Sequence, residues 1–275
     1  MSRHDAGDVR ENVYGHAKRL DWILAHLRPG DTVLDVGCGT GAMITIPLAR
    51  RGVRVTGRDT DRASVTLGQG LARDAGLDPA ILQTGGVEGL GGAPDVIILS
   101  EVLEHVPVDA SRPFLAALRR ALRPGGLLLV TVPNGWGWFE LESWLWFRVG
   151  LGKLLARLRV TGAVWRLKRL LAGPRVLEHD PATPATCSPS PHVRRFTLRS
   201  IRRELEQAGF PVVETAGSAL FAGPFSNLLF TGIGPVMRLN LRLGGLLRPL
   251  AANFYLACRT PAPDAPGHER APARG

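Results

Sequence analysis

Three glycines after a short apolar run are the first residues whose types and spacing could hold a ligand. Residues 33–41 read VLDVGCGTG, so Asp35 precedes a turn that contains Gly37, Gly39 and Gly41. Glycine permits backbone conformations and close approaches that other residues do not, so such a turn lets the main chain contact a nucleotide. The loop also matches the loose dinucleotide-binding pattern G-x-G-x-x-A, so from this loop alone an NAD site stays open.

A second group of reactive side chains follows a later apolar run. Glu101, Glu104 and His105 are spaced i, i+3 and i+4, so on a helix they could share a face and bind a divalent ion. We favour another role for His105, that of a base which takes a proton from a hydroxyl nucleophile, because an unperturbed imidazole has a pKa near neutrality. His192 is the second candidate base, and no metal is predicted. Packing beside a ligand is the alternative role for His105.

Four ordered blocks resemble the class I S-adenosylmethionine-dependent methyltransferases. Residues 33–41 resemble motif I of that family, and Asp59 stands where the family has an acid after its second strand. Residues 94–106 resemble the fourth strand and its turn, and residues 122–134 resemble the fifth strand and exit loop. The resemblance is nearest to ubiquinone-biosynthesis-type O-methyltransferases. No Asn/Asp-Pro-Pro-Tyr/Phe sequence follows the fourth strand, which disfavours amino-group methylation of nucleic acid.

The resemblance implies S-adenosylmethionine as the cofactor and a role for each matched position. Asp35 would help to hold the amino acid half of the cofactor. Asp59 would take both ribose hydroxyls, since a carboxylate accepts two hydroxyl donors well. Where the family usually has an acid near the adenine, this sequence has Gly86, so the contact would come from the backbone around Gly86 and Val87 or from Glu88. The cofactor-binding residues implied in this way are Asp35, Gly37, Cys38, Gly39, Gly41, Asp59, Thr60, Gly86, Val87, Ser100 and Glu101.

Alternating apolar strands and helical patterns must position these residues. With the resemblance, this alternation predicts an α/β fold of the Rossmann-like kind: a mostly parallel seven-stranded sheet flanked by helices, with a helical cap insertion. We interpret residues 215–237 as strand and loop rather than a membrane span, because glycine and proline interrupt them. The predicted strands are 32–36, 53–57, 80–84, 96–100, 127–132, 211–215 and 251–259. The predicted helices are 13–27, 42–51, 62–75, 110–122 and 197–208, the last with Thr197 as its N-cap.

The chain divides into five predicted segments, of which an inserted cap is the least regular. They are an N-terminal helical segment at 1–29, the cofactor-binding core at 30–134, a basic Trp-rich cap insertion at 135–191, the C-terminal part of the fold at 192–260 and a disordered tail at 261–275. In the cap, Leu151, Leu154, Leu155 and Leu158 form one helical stripe, with lysine and arginine beside it. Such a helix suits an anionic membrane interface or a lid over a lipid-like acceptor. Packing on the domain's own core is the alternative.

The net charge and the cysteine spacing limit the ligands and the cross-links that the chain could have. The 275 residues include 34 Lys and Arg against 24 Asp and Glu, a formal net charge of +10, which favours an anionic ligand or surface. Cys38, Cys187 and Cys258 show no C-x-x-C spacing, which argues against a disulfide framework or a zinc site. The N-terminal residues lack the apolar run of a signal peptide, so we expect a cytoplasmic protein, with peripheral contact to the inner face of a membrane as an option.

These observations predict an enzyme that transfers a methyl group from S-adenosylmethionine to oxygen of a small acceptor, lipid-linked or glycan-linked. Nitrogen or carbon is less favoured as the methylated atom. We expect a monomer or weak dimer that does not act on nucleic acid. Two alternatives stay open: an NAD-dependent oxidoreductase, which the glycine loop permits, and a non-catalytic basic module that binds membranes or RNA, which the net charge and Gly86 permit.

Overall fold

A seven-stranded sheet with helices on both faces forms the centre of the protein. The structure, a computed structural model, describes residues 14–89, 92–172, 185–188 and 190–261. The strands are β1 (Thr32–Val36), β2 (Arg54–Asp59), β3 (Leu82–Thr84), β4 (Val96–Ser100), β5 (Leu127–Pro133), β6 (Val212–Gly217) and β7 (Asn253–Arg259). Their order in the sheet is β3-β2-β1-β4-β5-β7-β6. β7 is antiparallel to both of its neighbours, and the other pairs are parallel, as predicted for a Rossmann-like fold.

The helices cover the two faces of this sheet and form the cap. They are α1 (His16–Ala25), α2 (Thr45–Arg50), α3 (Arg62–Asp74), α4 (Val108–Ala121), α5 (Trp138–Ser143), α6 (Leu151–Arg157), α7 (Val160–Ala172), α8 (Leu198–Gln207), α9 (Pro224–Phe230) and α10 (Gly234–Leu246). Short 3₁₀ turns occur at Pro79–Ile81, Leu103–His105 and Arg248–Leu250, and a π-helical turn at Trp144–Arg148 continues α5.

Both faces of the central strands are buried, which explains their nearly continuous apolar sequences. In β4, Ile97 and Leu99 belong to the same buried cluster as Leu118 of α4. Ile98, between them, packs on the opposite face in a cluster that includes Leu20 of α1. Successive strand side chains point to opposite faces, so one strand contributes to two cores. The site residues that follow these strands are therefore held on a rigid base.

The alternation of strands and helices predicted from the sequence is confirmed. β1 and β4 have the predicted bounds. Thr197 is the N-cap of α8, and its side chain and that of Ser200 form a reciprocal capping box. The first helix after the glycine loop is shorter than predicted and begins at Thr45 rather than Ala42. Pro47 has no backbone N–H to donate, so it is tolerated only in the first turn of a helix.

The interpretation of residues 215–237 as strand and loop is wrong for 224–230 and 234–237, which are helical and make up about half of that stretch. β6 ends at Gly217, and α9 and the start of α10 occupy much of the remainder. Pro224 and Pro235, which we interpreted as interruptions, stand in the first turns of these helices. Proline is favoured there because the missing N–H would have no partner within the helix. Within the described ranges, every helix is too short or too polar to span a bilayer.

The predicted cap is mostly helical between residues 138 and 172, and this part is anchored to α9. Glu142 in α5 is buried, and its carboxylate accepts hydrogen bonds from the backbone N–H and the hydroxyl of Ser226. Lys168 Nζ in α7 donates to the carbonyl oxygen of Thr231 at 2.9 Å. These two polar anchors fix the cap against the C-terminal part of the fold. Residues 173–184 of the predicted cap, and the predicted tail apart from Pro261, lie outside the described residues.

Candidate active site at the carboxyl ends of the strands

The carboxyl ends of β2, β1 and β4 lie side by side and carry most of the predicted site residues. β1 pairs in parallel with β2 on one side and with β4 on the other. The chain order reverses between β1 and β4, since β2 and β3 extend the sheet one way and β5 the other. Ligands of open α/β sheets bind in the crevice at such a switch point. The turns after these three strands therefore form the candidate site.

The turn after β1 is a tight glycine loop. Gly37, Gly39 and Gly41 have φ angles of 71°, 55° and 71°, in the left-handed region that favours glycine. The backbone N–H of Gly37 donates to Arg58 O at 2.7 Å, which ties the loop to the end of β2. A Cβ atom at Gly41 would lie 2.7 Å from Leu82 Cδ2. Backbone conformation and close packing thus both require glycine in this loop.

Asp59 ends β2 with its carboxylate anchored beside the loop. Its Oδ2 accepts the backbone N–H of Gly39 at 2.7 Å, and its Oδ1 accepts that of Asp61 at 2.8 Å. An ionised carboxylate offers about four acceptor positions, so each oxygen can still accept another donor. The two hydroxyls of a ribose are donors of this kind. The geometry fits the role predicted for Asp59.

Asp35 is the most deeply buried acid of the glycine-loop region. It is 2% exposed, and Thr45 Oγ1 donates to its carboxylate at 2.6 Å. Burial raises the pKa of Asp35 to about 6, against the opposing effects of the Thr45 hydrogen bond and the Arg19 charge. A cationic group bound beside Asp35 would favour its ionised form. The ammonium group of an amino acid is a cation of this kind, as the predicted role requires.

Arg19 in α1 is a site residue that sequence reasoning missed. Its side chain is buried, with Nη1 3.5 Å from Glu101 Oε1, and its Nε has no hydrogen-bond partner among the described residues. A buried polar group without a partner is costly, so a bound acceptor would stabilise it, and a carboxylate is the acceptor that a guanidinium binds best. A signal was present: Arg19 lies between His16 and Ile23 on the inward face of an amphipathic helix, where a charge is unexpected.

Glu101 is held in an unusual backbone conformation directly after β4. Its φ of 58° is in the left-handed region, which costs a non-glycine residue roughly 1–3 kcal/mol and is typical of functional sites. Thr131 Oγ1 and Asn253 Nδ2 each donate to its carboxylate at 3.0 Å. The helical face that Glu101 was predicted to share with Glu104 and His105 does not form, because the helical turn there begins only at Leu103.

The buried acid Glu104 and the half-buried imidazole of His105 lie side by side. Both carboxylate oxygens of Glu104 lack a hydrogen-bond partner in the described part of the chain. Burial, and then the charge of Glu101, raise the pKa of Glu104 to about 9, so its neutral form is favoured at neutral pH. His105 Nδ1 lies 3.1 Å from Pro191 O, and a carbonyl can only accept, so the Nδ1–H donates. His105 Nε2, 4.0 Å from Glu104 Oε1, then carries the lone pair.

The structure brings His192 to the same place as His105. The centroids of the two rings are 5.0 Å apart. The chain after His192 is fixed by the backbone N–H groups of Val193 and Arg194, which donate to the carbonyl oxygen of Glu104 at 2.9 and 3.1 Å. Burial and the neighbouring His105 lower the pKa of His192, which favours its neutral form. Glu104, His105 and His192 each offer an atom within 4.8 Å of the others, so among the described residues they could also hold a divalent ion.

The remaining predicted cofactor residues lie at the same edge of the sheet. The backbone N–H of Gly85 donates to Asp59 O at 2.9 Å, which keeps the turn after β3 beside β2. Gly86 O accepts from Arg58 Nη1 at 3.3 Å, and Val87 is buried. The predicted backbone contact at this turn therefore has a defined position. Cys38 lies two residues after the end of β1, Thr60 directly follows β2, and Ser100 is the last residue of β4.

A short segment of the chain crosses the glycine loop. The backbone N–H of Thr40 donates to Ala185 O at 2.9 Å, and the N–H of Cys187 donates to Ser64 Oγ at 2.7 Å. The N–H of Ser188 reaches Asp61 Oδ2 at 3.2 Å. A Cβ at Gly39 would lie 2.1 Å from Ala185 O. A ligand that approaches Gly39 from this side must therefore displace residues 185–188, which sequence patterns did not indicate.

The fold and this glycine-loop site define a Rossmann-like α/β protein whose ligand crevice lies at the switch point. The chain belongs to a methyltransferase family: residues 10–215 match the family model described as "Methyltransferase domain". It is 39% identical to a ubiquinone biosynthesis O-methyltransferase of Nitrosococcus oceani over 121 aligned residues. The aligned region covers 42% of this chain and 50% of that protein. The chain thus spans about half the length of the curated relatives it matches.

Solved structures of methyltransferases share the fold at low sequence identity. A SAM-dependent methyltransferase from Methanosarcina mazei superposes with a TM-score of 0.52 at 18% identity, over 88% of this chain and 98% of that one. A magnesium protoporphyrin IX methyltransferase from Synechocystis PCC 6803 with bound SAH superposes with a TM-score of 0.50 at 17% identity, over 89% and 81% of the two chains. These likenesses confirm the predicted fold. The NAD-dependent and non-catalytic alternatives find no support among the relatives.

Proposed function

We propose that this protein transfers a methyl group from S-adenosylmethionine to an oxygen atom of a small acceptor. The observation that carries the proposal is the charge arrangement around the glycine loop. At one end, buried Asp35 offers an acid, and Arg19 offers a cation whose Nε has no partner within the described ranges. They are the complement of an amino acid's ammonium and carboxylate. At the other end, Asp59 offers two fixed carboxylate oxygens for ribose hydroxyls. S-adenosylmethionine has these two ends and the corresponding groups.

The acceptor side of the proposed site is formed by His105 and His192. S-adenosylmethionine supplies an electrophilic methyl group on a sulfonium, so the protein mainly has to align the acceptor and exclude water. His105 keeps its proton on Nδ1 through Pro191 O, and its Nε2 can remove the proton of an acceptor hydroxyl. His192, more exposed and beside it, is the candidate to pass that proton to solvent. Glu104 in its neutral form, 4.0 Å from Nε2, places no negative charge beside that atom.

The acceptor class follows from the relatives and from the surroundings of the site. The curated relatives are named for O-methylation in ubiquinone biosynthesis, which supports a phenolic or similar hydroxyl on a lipid-linked molecule. A glycan-linked hydroxyl is the second class. The basic, Trp-rich cap beside the site supports activity at an anionic membrane surface. We expect the protein to act as a monomer or weak dimer.

Cofactor binding and methyl transfer test the proposal together. Isothermal calorimetry should show binding of S-adenosylhomocysteine and not of NAD. Asp59→Ala should weaken that binding by about 1.5–3 kcal/mol, the scale of hydrogen bonds to a charged group. Asp109→Ala, an exposed acid of α4, is the matched control and should leave affinity unchanged. A folded Asp59→Ala protein with wild-type affinity would overturn the ribose assignment.

The acceptor can be identified by radiolabel transfer. The protein is incubated with S-adenosylmethionine labelled in the methyl group and with extracts of quinones and phenols, lipids, and sugars in separate reactions. Label in an alkali-stable ether of a phenol or quinol supports O-methylation of that class. Label retained only in the donor in every reaction, with S-adenosylhomocysteine bound normally, would contradict the acceptor classes proposed here.

A further inference from the structure

The helix that follows the candidate active site carries a row of exposed apolar side chains. α5 and the π-helical turn that continues it carry Trp138, Leu141, Trp144 and Phe147 at intervals of three residues, all of them exposed. Trp144 and Phe147 expose 55% and 71% of their surfaces. Neighbours at this spacing lie next to one another along a helix. Large aromatic side chains exposed in a row mark a surface that binds something.

The exposure of this row does not come from a loosely attached helix. Glu142, between Leu141 and Trp144, is buried and accepts the two hydrogen bonds of Ser226 in α9. Trp146 packs edge-on against Phe225, with ring centroids 4.8 Å apart. The protein therefore fixes the orientation of the helix and leaves the apolar row facing outward.

The charge around the exposed row has one sign. Within residues 136–170, the exposed charged side chains are six cations and no acids, namely Arg148, Lys153, Arg157, Arg159, Arg166 and Arg169. The two acids of this stretch are engaged elsewhere: Glu142 is buried, and Glu140 lies 3.4 Å from Arg195. In α6, Lys153 and Arg157 stand one turn apart, with exposed Leu154 and Leu158 directly after them.

The exposed row begins next to the candidate active site. α5 starts five residues after the end of β5, at the same edge of the sheet as His105. The guanidinium carbon of Arg195 lies 5.9 Å from the ring centroid of exposed Trp136. Arg195 directly follows Arg194, whose backbone N–H donates to the carbonyl oxygen of Glu104. A surface that binds along α5 would therefore lie beside the crevice in which the acceptor reacts.

We propose that the exposed sides of α5, the π-helical turn, α6 and α7 dock on an anionic phospholipid bilayer. Interfacial helices bury aromatic and leucine side chains at the level of the headgroups and place lysine and arginine against anionic lipids. The row of aromatic residues and the single sign of charge match that pattern. The inference rests on the proposed function only in that a lipid-linked acceptor would be reached from this surface.

Vesicle co-sedimentation of the full chain tests the docking surface. Vesicles of phosphatidylcholine alone are compared with vesicles that also contain phosphatidylglycerol, at low and at high salt. We expect binding to the anionic vesicles that falls as salt rises. Lys153→Gln and Arg157→Gln should each weaken binding about fivefold. Arg73→Gln, an exposed cation of α3 beside the β3 edge of the sheet, is the matched control and should change nothing.

The apolar row is tested with the double substitution of Trp144→Ser and Phe147→Ser, and Leu67→Ser on α3 is its control. The double variant should lose most vesicle binding and keep its affinity for S-adenosylhomocysteine. Equal binding to neutral and anionic vesicles would overturn the proposal, as would self-association or RNA binding through these residues without vesicle binding. Vesicle binding without binding of S-adenosylhomocysteine would instead reject the proposed function and leave the docking surface standing.

Discussion

The glycine-loop edge of the sheet and the cap use the same residue types in opposite environments. Leu99 of β4 is completely buried, whereas Leu158 after α6 exposes 62% of its surface. Arg19 is buried against Glu101, whereas Arg157 is exposed. At the glycine-loop edge, hydrogen bonds from neighbouring residues hold the side chains of Asp35, Asp59 and Glu101 in place. In the described part of the cap, the helices carry several exposed apolar and cationic side chains, so we expect each single contact to matter less.

The largest expected contrast is catalytic. His105→Gln should lower kcat at least about hundredfold, because it removes the base while leaving the cofactor contacts in place. Calorimetry with S-adenosylhomocysteine should show unchanged affinity, so the loss is confined to turnover. His26→Gln is the control, since His26 bonds to Trp22 and Glu214 away from the crevice.

Two other results would change the role that we assign to His105. Wild-type kcat in the His105 variant would assign His105 to packing alone. Loss of wild-type activity on treatment with a chelator, restored by magnesium or manganese, would make Glu104, His105 and His192 a metal site rather than an acid and base cluster.

The next contrast is in stability. Leu99→Ala should lower the free energy of unfolding by about 2–5 kcal/mol, because it leaves a cavity between the sheet and the helices packed on that face. Leu158→Ala should change it by less than about 0.5 kcal/mol, because the side chain is already exposed. Urea denaturation of both variants measures the difference. Equal losses in the two variants would show that the cap is packed against something in solution.

The smallest effect concerns the dependence of stability on pH. The pKa of Glu104 is raised from its usual 4.5 to about 9, so the folded protein holds a proton that the unfolded chain releases between these values. Stability should therefore fall as pH rises through this window, and the raised pKa of Asp35, about 6, adds to the fall at its acidic end.

Glu104→Gln removes the larger contribution to this slope. The variant should be more stable than the wild type at about pH 8, and this advantage should be smaller at about pH 6. Urea denaturation at both pH values gives the comparison. A slope that is the same in variant and wild type would place the titrating proton elsewhere.

Most of the fold could be predicted because the signal is local. Buried parallel strands such as β1 and β4 are short apolar runs, and the start of α8 is marked by a capping box that spans the four residues from Thr197 to Ser200. The same local reasoning failed at α9 and α10. There, Pro224 and Pro235 mark the starts of helices rather than breaks. A proline can have either meaning in a sequence, and the packing of the cap on α9 became visible only in the structure.

The parallel sheet and the glycine loop could be predicted without a structure, because strand period and turn chemistry are properties of residues close together in the chain. Asp35 and Asp59 could be named because each stands near the end of its own strand, where the resemblance implies an acid. The partners that come from far along the chain were found only in the folded protein. Arg19 meets Glu101, His192 meets His105, and residue 185 reaches the glycine loop through contacts that no local pattern encodes. Such contacts depend on how whole helices and loops pack on one another, and this packing involves residues that are far apart in the sequence.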